Sequence, residues 1–372
     1  WSRNESLQEG FDSSPTRLSL HQRPRETRGS TSDCAQLLPG RSVPVNMLDT
    51  AEWVQPEPSP HLGPEPYNIL MYSHDTYGLG HIRRTMAIAN QLLAPDTNIL
   101  ILTGSPIAGR YDFPQGIDYV RIPGMIKKQN NEYVPHSIKV AAKSALKLRT
   151  KVITATAKAF APDMFIVDKA PLGLNREIVP TLQWFRKNAP WVRVVLGLRD
   201  IMDDAASTIK DWKRKGIYKA MAELYTDIWV YGERDLYDPV TQYSIPEHIS
   251  RKILYTGYIP REVPNPNHRV SIRKSLNVHP QDKLVLVCTG GGGDGYSLMD
   301  AYLHMLEQNG TVPFRSVLVS GPFMPLDKQD ELARRAKEVN ARFHSFYKRL
   351  EKLMSAADMV VSMGGYNTIC EV

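Results

Sequence analysis

The stretch Lys283-Leu-Val-Leu-Val-Cys-Thr-Gly-Gly-Gly-Gly-Asp-Gly295 decides the fold class of this chain. Its apolar half predicts a buried strand, and the four glycines that follow remove every Cβ at the point where the strand ends. Backbone N–H groups could then approach the phosphates of a ligand, and the next helix could point its N-terminus at them. The same residues would equally suit an ordinary turn between a strand and a helix.

Short runs of Val, Ile and Leu alternate with longer amphipathic stretches from Tyr67 onward, which is typical of an α/β fold with parallel sheets. Strands are predicted at 67–73, 98–103, 119–122, 164–168, 192–198, 227–231 and 252–256, and again at 284–288, 316–320, 342–346 and 359–362. Helices are predicted at 82–93, 138–160, 176–187, 205–224, after Asp235, and at 297–308, 328–339 and 349–355. The sequence therefore predicts two doubly wound, Rossmann-like parallel-sheet domains that face a cleft.

The predicted domain organisation has four parts: a disordered extension (1–66), an N-terminal Rossmann-like domain (67–257), a linker (258–282) and an incomplete C-terminal domain (283–372). The chain begins with Trp1, so we hypothesise that Met47 is the native start and that the residues before it are translated upstream sequence. A helix that begins near Tyr366 would stop within about two turns, which is shorter than typical helices. We therefore expect the chain to be a fragment that lacks its C-terminus.

Composition narrows the possible partners. Lys and Arg number 46 against 39 Asp and Glu among 372 residues, and the resulting charge of +7 suits an anionic ligand, a lipid surface or simply a mildly basic protein. Basic and aromatic residues form no recognisable nucleic-acid module, so no nucleic acid is expected. The three cysteines lie far apart, which argues against disulfides and structural zinc. Neither a membrane span nor a signal peptide is visible, so we expect a cytoplasmic protein.

The first predicted strand ends in Ser73-His-Asp-Thr-Tyr-Gly-Leu-Gly-His-Ile-Arg-Arg84. This is not the dinucleotide fingerprint, because Arg83 stands where its last glycine is needed, and no Walker loop occurs, so a nicotinamide or flavin cofactor is not expected. His81 could act as a general base or contact phosphate, since imidazole titrates near neutral pH. His74 and Asp75 could assist, although His74 could also be a simple polar loop residue.

Four charged residues fall at the ends of two other predicted strands: Asp168, Lys169, Arg199 and Asp200. They could bind a polar or anionic acceptor, or they could neutralise one another as structural ion pairs. The sequence contains no Asp-x-Asp pair and no cluster with metal-ligand spacing, so we predict catalysis without a protein-held metal and with no cofactor. The basic helix 138–160 could touch an anionic membrane or could simply be solvated.

Four segments together resemble the family 28 glycosyltransferases: the two glycine loops, Tyr255-Thr-Gly-Tyr-Ile-Pro-Arg261, and the tail Asp358-Met-Val-Val-Ser-Met-Gly-Gly-Tyr-Asn-Thr-Ile-Cys-Glu371. The resemblance spans Tyr67 to Val372 and is strong at the motifs and diffuse between them. That family includes the peptidoglycan enzyme that adds N-acetylglucosamine to a lipid-linked acceptor, and the chain is still more similar to the group labelled only as predicted glycosyltransferases. The resemblance implies the two-domain GT-B fold, a nucleotide sugar held mainly by the C-terminal domain, and catalysis without metal.

The resemblance also implies roles for individual residues. It makes Gly78, Gly80 and His81 the N-terminal phosphate-side loop, with His81 near the reaction centre. The donor-side residues that it implies are Arg261 for the diphosphate, Gly290, Gly291, Gly292 and Gly293 as the second glycine loop, Phe346 and Tyr347 at the uracil pocket, Gly365, Asn367 and Thr368 before the last helix, and Glu371 for the ribose hydroxyls. Glycine replaces the family's serine in the second loop, and the family's glutamine-bearing loop that reads the sugar lies beyond Val372.

The sequence thus predicts an enzyme that moves a hexosyl or N-acetylhexosaminyl group from a nucleotide sugar, UDP-linked by the resemblance, to the hydroxyl of an unidentified acceptor. His81 is the predicted base, with Asp75 as the alternative. An acceptor carried on a lipid and a peripheral place at the inner face of the membrane are left open. So are two other functions, a UDP-sugar 2-epimerase of GT-B fold and a non-catalytic nucleotide-sugar-binding protein.

Overall fold

A computed structural model describes residues 66–75, 79–127, 132–259 and 265–371. The predicted N-terminal extension lies outside the described residues, apart from Pro66. Two predicted donor-side residues, Gly78 and Arg261, also lie outside them, and so does the side chain of Glu371.

Nine strands lie in the first part of the described chain: β1 (Tyr67–Ser73), β2 (Thr97–Thr103), β3 (Ile117–Arg121), β4 (Met125–Lys127), β5 (Tyr133–Pro135), β6 (Met164–Asp168), β7 (Arg193–Arg199), β8 (Asp227–Tyr231) and β9 (Ile253–Tyr255). Seven of them form a parallel sheet in the order β3-β2-β1-β6-β7-β8-β9, while β4 and β5 pair as a separate antiparallel hairpin. The helices of this part are α1 (Gly80–Leu92), α2 (Ala142–Phe160), α3 (Val179–Asn188), α4 (Ala205–Lys215), α5 (Ile217–Leu224), α6 (Pro239–Gln242) and α7 (Glu247–Ser250).

The central strands of this first sheet are mostly apolar between their ends because both of their faces are covered. In β1, Leu70 and Tyr72 belong to a core that includes residues of α2, α3 and α5, whereas Ile69 and Met71 belong to a core with Ile82 of α1. Alternate side chains of a strand point to opposite faces, so one apolar run supplies two cores. The first sheet is therefore doubly wound, as the sequence predicts.

A second parallel sheet contains β10 (Lys283–Cys288), β11 (Phe314–Val319), β12 (Arg342–His344) and β13 (Met359–Ser362), in the order β12-β11-β10-β13. Its helices are α8 (Pro266–Ser275), α9 (Tyr296–Asn309), α10 (Leu326–Glu338), α11 (Leu350–Ala356) and α12 (Tyr366–Glu371). Leu284 and Leu286 belong to a core with α11, and Val285 and Val287 to a core with α9 and α10. The predicted pair of doubly wound α/β sheets is confirmed.

Several local features differ from the sequence prediction. The single helix predicted at 205–224 is broken by Gly216, which adopts a left-handed conformation (φ +71°) and ends α4. The helix predicted from Ile138 begins only at Ala142, after the unpredicted β4–β5 hairpin. Helix α8 lies within residues 258–282, for which the sequence predicts a linker, and it packs on α11. The sequence does not predict this helix because it contains few apolar residues and shows no clear amphipathic pattern. Its start is nevertheless typical, with Asn265 as the N-cap followed by Pro266.

Each sheet has one point at which the order of strands reverses. In the first sheet it lies between β1 and β6, and in the second between β10 and β13. Doubly wound sheets bind ligands outside the carboxyl ends of their strands at such a point. The loops after these four strands are therefore where a site is expected.

Candidate functional site

The two reversal points are in contact through Asn367 of α12, which follows β13. Its amide Nδ2 donates to the backbone oxygen of Gly80 at 2.9 Å, and its Oδ1 accepts a hydrogen bond from Arg84 Nη1 at 3.3 Å. A Cβ on Gly80 would lie 2.6 Å from Asn367 Nδ2, so glycine at this position permits the close approach. Because Gly80 begins α1 directly after the β1 loop, the carboxyl ends of the two sheets face each other, as predicted.

Asp168, the last residue of β6, lies at the centre of a buried ionic cluster. Arg84 donates from Nε to Asp168 Oδ1 at 2.8 Å and from Nη2 to Oδ2 at 2.9 Å. His81 Nδ1 lies 2.5 Å from the same Oδ2. Burial opposes the charge of Asp168, but Arg84 and His81 outweigh burial and hold its pKa well below the usual range. The sequence predicts Asp168 either as an acceptor-side residue or in an ion pair; the structure shows its carboxylate paired with Arg84 and His81, and the acceptor-side role stays a prediction.

This contact fixes the tautomer of His81. An ionised carboxylate only accepts hydrogen bonds, so the proton of a neutral His81 must sit on Nδ1 and point at Asp168. Nε2 then carries a lone pair that can accept a proton. Sequence reasoning singled out His81 but missed Arg84, although the spacing of three residues places both on one face of α1.

A cavity of about 1000 Å³ opens beside His81. The rings of His81 and His74 line it together with Lys169, the loop 170–176 and part of α4. Burial, followed by the nearby Arg199, lowers the pKa of the Lys169 ammonium group. The walls combine apolar side chains such as Leu172 and Trp212 with charged ones, so the cavity suits a ligand with both polar and apolar parts.

The structure separates the two residues predicted as alternative bases. Asp75 lines a different cavity of about 360 Å³, together with Ser105 and Phe323. Its Oδ2 accepts a hydrogen bond from Thr103 Oγ1 at 2.5 Å, and burial raises the pKa of its carboxyl group. His74 instead lies in the cavity of His81, with its ring centroid 5.6 Å from that of His81.

Two other predicted acceptor-side residues, Arg199 and Asp200, contact neighbouring aromatic side chains. The Arg199 guanidinium lies 5.3 Å from the centroid of the Tyr366 ring, and Asp200 accepts a hydrogen bond from the Tyr258 hydroxyl at 2.8 Å. The Tyr366 hydroxyl in turn donates to the backbone oxygen of Tyr231. These contacts hold α12 against the first sheet.

The glycines of the loop after β10 differ in how closely other backbone atoms approach them. A Cβ on Gly292 (φ +89°) would lie 2.1 Å from the backbone oxygen of Ser320, so this glycine allows the loop to pack against the loop after β11. Gly290 (φ +62°) faces open space, with nothing within 4 Å of a Cβ built there. The Phe323 N–H donates to the Gly291 oxygen at 2.9 Å, and Gly293 completes the run before α9.

The remaining predicted donor-side residues lie on the second sheet. Phe346 contacts the first-sheet turn that precedes β3: its ring is 6.3 Å from that of Tyr111 and 5.5 Å from the Arg110 guanidinium. Tyr347 packs on the core beneath α11. Gly365 precedes α12, and Thr368 lies within it.

Two further features of the described residues concern possible metals and membranes. No group of three or more His, Cys, Asp or Glu residues is arranged to hold a metal ion in this part of the chain. None of the helices that the structure describes combines the length and apolar character needed to cross a membrane.

Comparisons with known proteins give partial similarities. No protein-family model matches the sequence. Over 123 residues the chain is 28% identical to the UDP-N-acetylglucosamine--N-acetylmuramyl-(pentapeptide) pyrophosphoryl-undecaprenol N-acetylglucosamine transferase of Halalkalibacterium halodurans. This match covers 32% of the chain and only 33% of that relative, about a third of its length.

Three of the solved structures that are partly similar to this chain are a glycosyltransferase, a protein crystallised with UDP-glucose and a UDP-GlcNAc 2-epimerase. A glycosyltransferase from Rickettsia africae has a TM-score of 0.46 at 11% identity, over 79% of this chain and 72% of that one. HepE of Anabaena in complex with UDP-glucose has a TM-score of 0.47 at 13% identity, and the match covers 79% of this chain and 72% of HepE. The UDP-GlcNAc 2-epimerase of Neisseria meningitidis has a TM-score of 0.46 at 14% identity, and the match covers 80% of this chain and 78% of the epimerase. Because these similarities are partial, a proposal for the function of this chain has to rest on its own residues.

Proposed function

We propose that this chain is a glycosyltransferase of the family 28 type, which moves a hexosyl group from a nucleotide sugar to an acceptor hydroxyl. The observation that carries the proposal is the His81–Asp168 pair beside a cavity of about 1000 Å³, while Asn367 of the second sheet contacts Gly80 and Arg84 on the same helix as His81. Sugar transfer to a hydroxyl needs a base for the hydroxyl proton and a site for the departing diphosphate. In this proposal His81, at the reversal point of the first sheet, is the base, and the glycine loop at the reversal point of the second sheet holds the diphosphate.

In the proposed reaction, His81 Nε2 takes the proton of the acceptor hydroxyl as its oxygen forms a bond to the anomeric carbon. The bond from that carbon to the diphosphate oxygen breaks, and its electron pair leaves with the diphosphate. The resulting imidazolium is stabilised by Asp168, whose carboxylate is kept ionised by Arg84. His81 is the first choice as base because its Nδ1 lies against Asp168, and Asp75, which lines the other cavity together with Phe323, is the second.

The departing diphosphate lies, in this proposal, at the glycine loop after β10 and at the N-terminus of α9. Gly290 leaves its side of the loop open, and a helix N-terminus favours negative charge. By resemblance, Arg261 supplies a cation and no metal or cofactor takes part. The 123-residue similarity to an enzyme named for UDP-N-acetylglucosamine supports a UDP-linked donor, with an N-acetylhexosaminyl group as one option.

The acceptor occupies the cavity of His81 and Lys169 in this proposal. A lipid-linked acceptor fits the mixed apolar and polar walls. Helix α2 exposes Lys143, Lys147 and Lys151 at four-residue spacing, in one row that suits a peripheral contact with an anionic inner membrane surface. We place the protein in the cytoplasm, at or near that surface.

The test is donor turnover by matched variants. UDP release from UDP-N-acetylglucosamine, UDP-glucose and UDP-galactose is measured with a methyl hexopyranoside or water as acceptor, and the sugar products are identified. His81→Gln and Asp168→Asn should each lower kcat by a factor of about 100 to 10,000, while the exposed-site control His304→Gln should not. Unchanged turnover in His81→Gln would refute the base assignment. A donor isomer formed without acceptor would identify an epimerase, and donor binding without turnover a binding protein.

A further inference from the structure

We propose that His74 is a specificity-determining residue whose Nε2 is fixed as a hydrogen-bond acceptor in the cavity of His81. It would select a hydroxyl or N–H group of the acceptor next to the reacting hydroxyl and exclude a carboxylate or phosphate there. As a statement about substrate recognition, this rests on the proposed function. The fixed state of the imidazole rests only on the contacts described next.

A buried ion pair starts the chain of contacts that fixes His74. Arg149 of α2 donates from Nε to Glu177 Oε2 at 2.6 Å and from Nη2 to Oε1 at 2.5 Å, and both side chains are fully buried. Arg149 Nη1 also donates to the backbone oxygen of Pro123 at 2.6 Å. A carboxylate that accepts two hydrogen bonds from one guanidinium is ionised and can only accept further hydrogen bonds. Any third partner of Glu177 must therefore donate.

That third partner is Tyr72 of β1. Its hydroxyl lies 2.6 Å from Glu177 Oε1, so the single hydroxyl proton is directed at the carboxylate. The same oxygen lies 3.3 Å from His74 Nδ1 and accepts from the Leu174 N–H at 3.2 Å. With its proton committed, Tyr72 can only accept from His74. Nδ1 of His74 must then carry the ring proton, and Nε2 carries the lone pair.

The charge of His74 is fixed as well. Burial, with the neighbouring His81, lowers its pKa to about 3, and the other charged groups that face it are Asp168, Lys169 and Arg149. A neutral imidazole with Nδ1–H has no second proton to donate from Nε2. His74 therefore differs from His81, whose Nδ1 faces the carboxylate of Asp168 rather than a hydroxyl.

The chemical consequence concerns the group that lies beside His74 when a ligand fills the cavity. A hydroxyl or amide N–H can donate to Nε2. A carboxylate or phosphate oxygen would bring a second lone pair to Nε2, and neither atom would have a proton to share. The preference for the neutral donor group over such an anion should be at least about tenfold.

The first experiment reads the tautomer directly by NMR of the protein labelled with ¹⁵N in histidine. The His74 signals are assigned with His74→Gln. We expect Nδ1–H in the wild type, without titration between about pH 5 and about pH 8. Tyr72→Phe should release the ring and give a population protonated on Nε2. Tyr302→Phe, which removes a buried hydroxyl from the second sheet, should leave the His74 signals unchanged. Nε2–H in the wild type, or no response to Tyr72→Phe, overturns the proposal.

The second experiment uses two probes, methyl β-glucopyranoside and the methyl glycoside of glucuronic acid, titrated against the same His74 signal. The neutral probe should shift the Nε2 resonance of the wild type and bind at least about tenfold more tightly than the anionic one. Tyr72→Phe should narrow that ratio. Equal binding of the two probes, or no shift with the neutral probe, overturns the recognition role. Neither experiment measures sugar transfer, so failure of the proposed function would be seen separately, in the turnover of His81→Gln.

Discussion

Individual glycines of the loop after β10 have separable roles. Gly292 combines a positive φ with a Cβ position 2.1 Å from the Ser320 oxygen, whereas Gly290 has a positive φ and open space. Gly290→Ala should therefore cost about 1 kcal/mol of unfolding free energy through backbone strain alone. Gly292→Ala adds a collision with backbone and should cost on the order of 3 kcal/mol. Urea unfolding of the two variants gives the comparison, and equal losses would contradict this account of the loop.

At the residue scale, sequence reasoning found what is written in contiguous motifs. The glycine loops and His81 were recognisable because their chemistry lies within one strand end. Asp168 was identified as a charged strand end, but its pairing with His81 spans 87 positions and depends on β1 and β6 being neighbours in the sheet. The Tyr72–Glu177 contact likewise joins residues 105 positions apart, so no local pattern announces it.

Helix α8 is held against the second sheet by its arginines, which contact the carboxylate of Asp358 and nearby backbone oxygens. Asp358 Oδ2 accepts from the Leu284 N–H at 2.8 Å and from Arg273 at 3.0 Å, and its Oδ1 accepts from Arg269 at 2.8 Å. Burial alone would raise the pKa of Asp358, but the Leu284 N–H and the two arginines outweigh burial and lower this pKa to about 2. Because the folded pKa is depressed, the stabilisation is present above about pH 4 and is lost as the pH falls towards 2.

Asp358→Asn should therefore lower the unfolding free energy by about 1 to 2 kcal/mol near pH 5 and much less near pH 2. Urea titrations at several pH values measure the difference from the wild type. The exposed Asp330→Asn serves as the control and should follow the wild type throughout. A loss that stays constant down to about pH 2 would show that the charge of Asp358 does not hold α8.

Helix α2 is anchored by its one fully buried arginine. Arg149→Met would leave Glu177 buried without its cation, so we expect a loss of about 3 to 5 kcal/mol in unfolding free energy. The matched change at the exposed neighbour Lys147→Met should alter stability by less than about 0.5 kcal/mol. Chemical denaturation compares the two, and similar small losses would indicate that water enters the Arg149 site.

Among the elements, the strands were the most predictable because a strand covered on both faces is apolar between its ends, as β6 is before Asp168 and β10 after Lys283. Helices with few apolar residues were harder to predict, since α8 is held largely by the polar contacts of Arg269 and Arg273. Gly216 broke a predicted helix in two because a left-handed residue ends α4.

Across the whole molecule, the described residues of the two sheets include two groups that join them. Asn367 and Tyr366 contact α1 and β8, and Phe346 and Lys348 contact the turn before β3, where Lys348 Nζ lies 2.7 Å from Asp112 Oδ1. The exposed Lys348–Asp112 ion pair should contribute less than about 1 kcal/mol to the stability of this contact, so most of its stability should come from Phe346. Sequence alone predicted two facing domains, but the side chains that join them come from distant segments and could not be paired in advance.

Phe346→Ala should therefore loosen the second contact and leave each sheet folded. Hydrogen exchange followed by mass spectrometry should show faster exchange around residues 108–112, with the β1 and β10 amides unchanged. Lys348→Ala is the matched control and should have a smaller effect on the same peptide. Unchanged exchange at 108–112 in Phe346→Ala would mean that this contact does not hold the sheets together.

If the facing reversal points form one nucleotide-sugar site, calorimetric titration of the protein with UDP, TDP, GDP and ADP should show binding of UDP in preference to the other three. Binding of UDP should be weaker in Asn367→Ala because this side chain joins the second sheet to α1. Absence of UDP binding, or equal binding of all four nucleotides, would contradict this proposal.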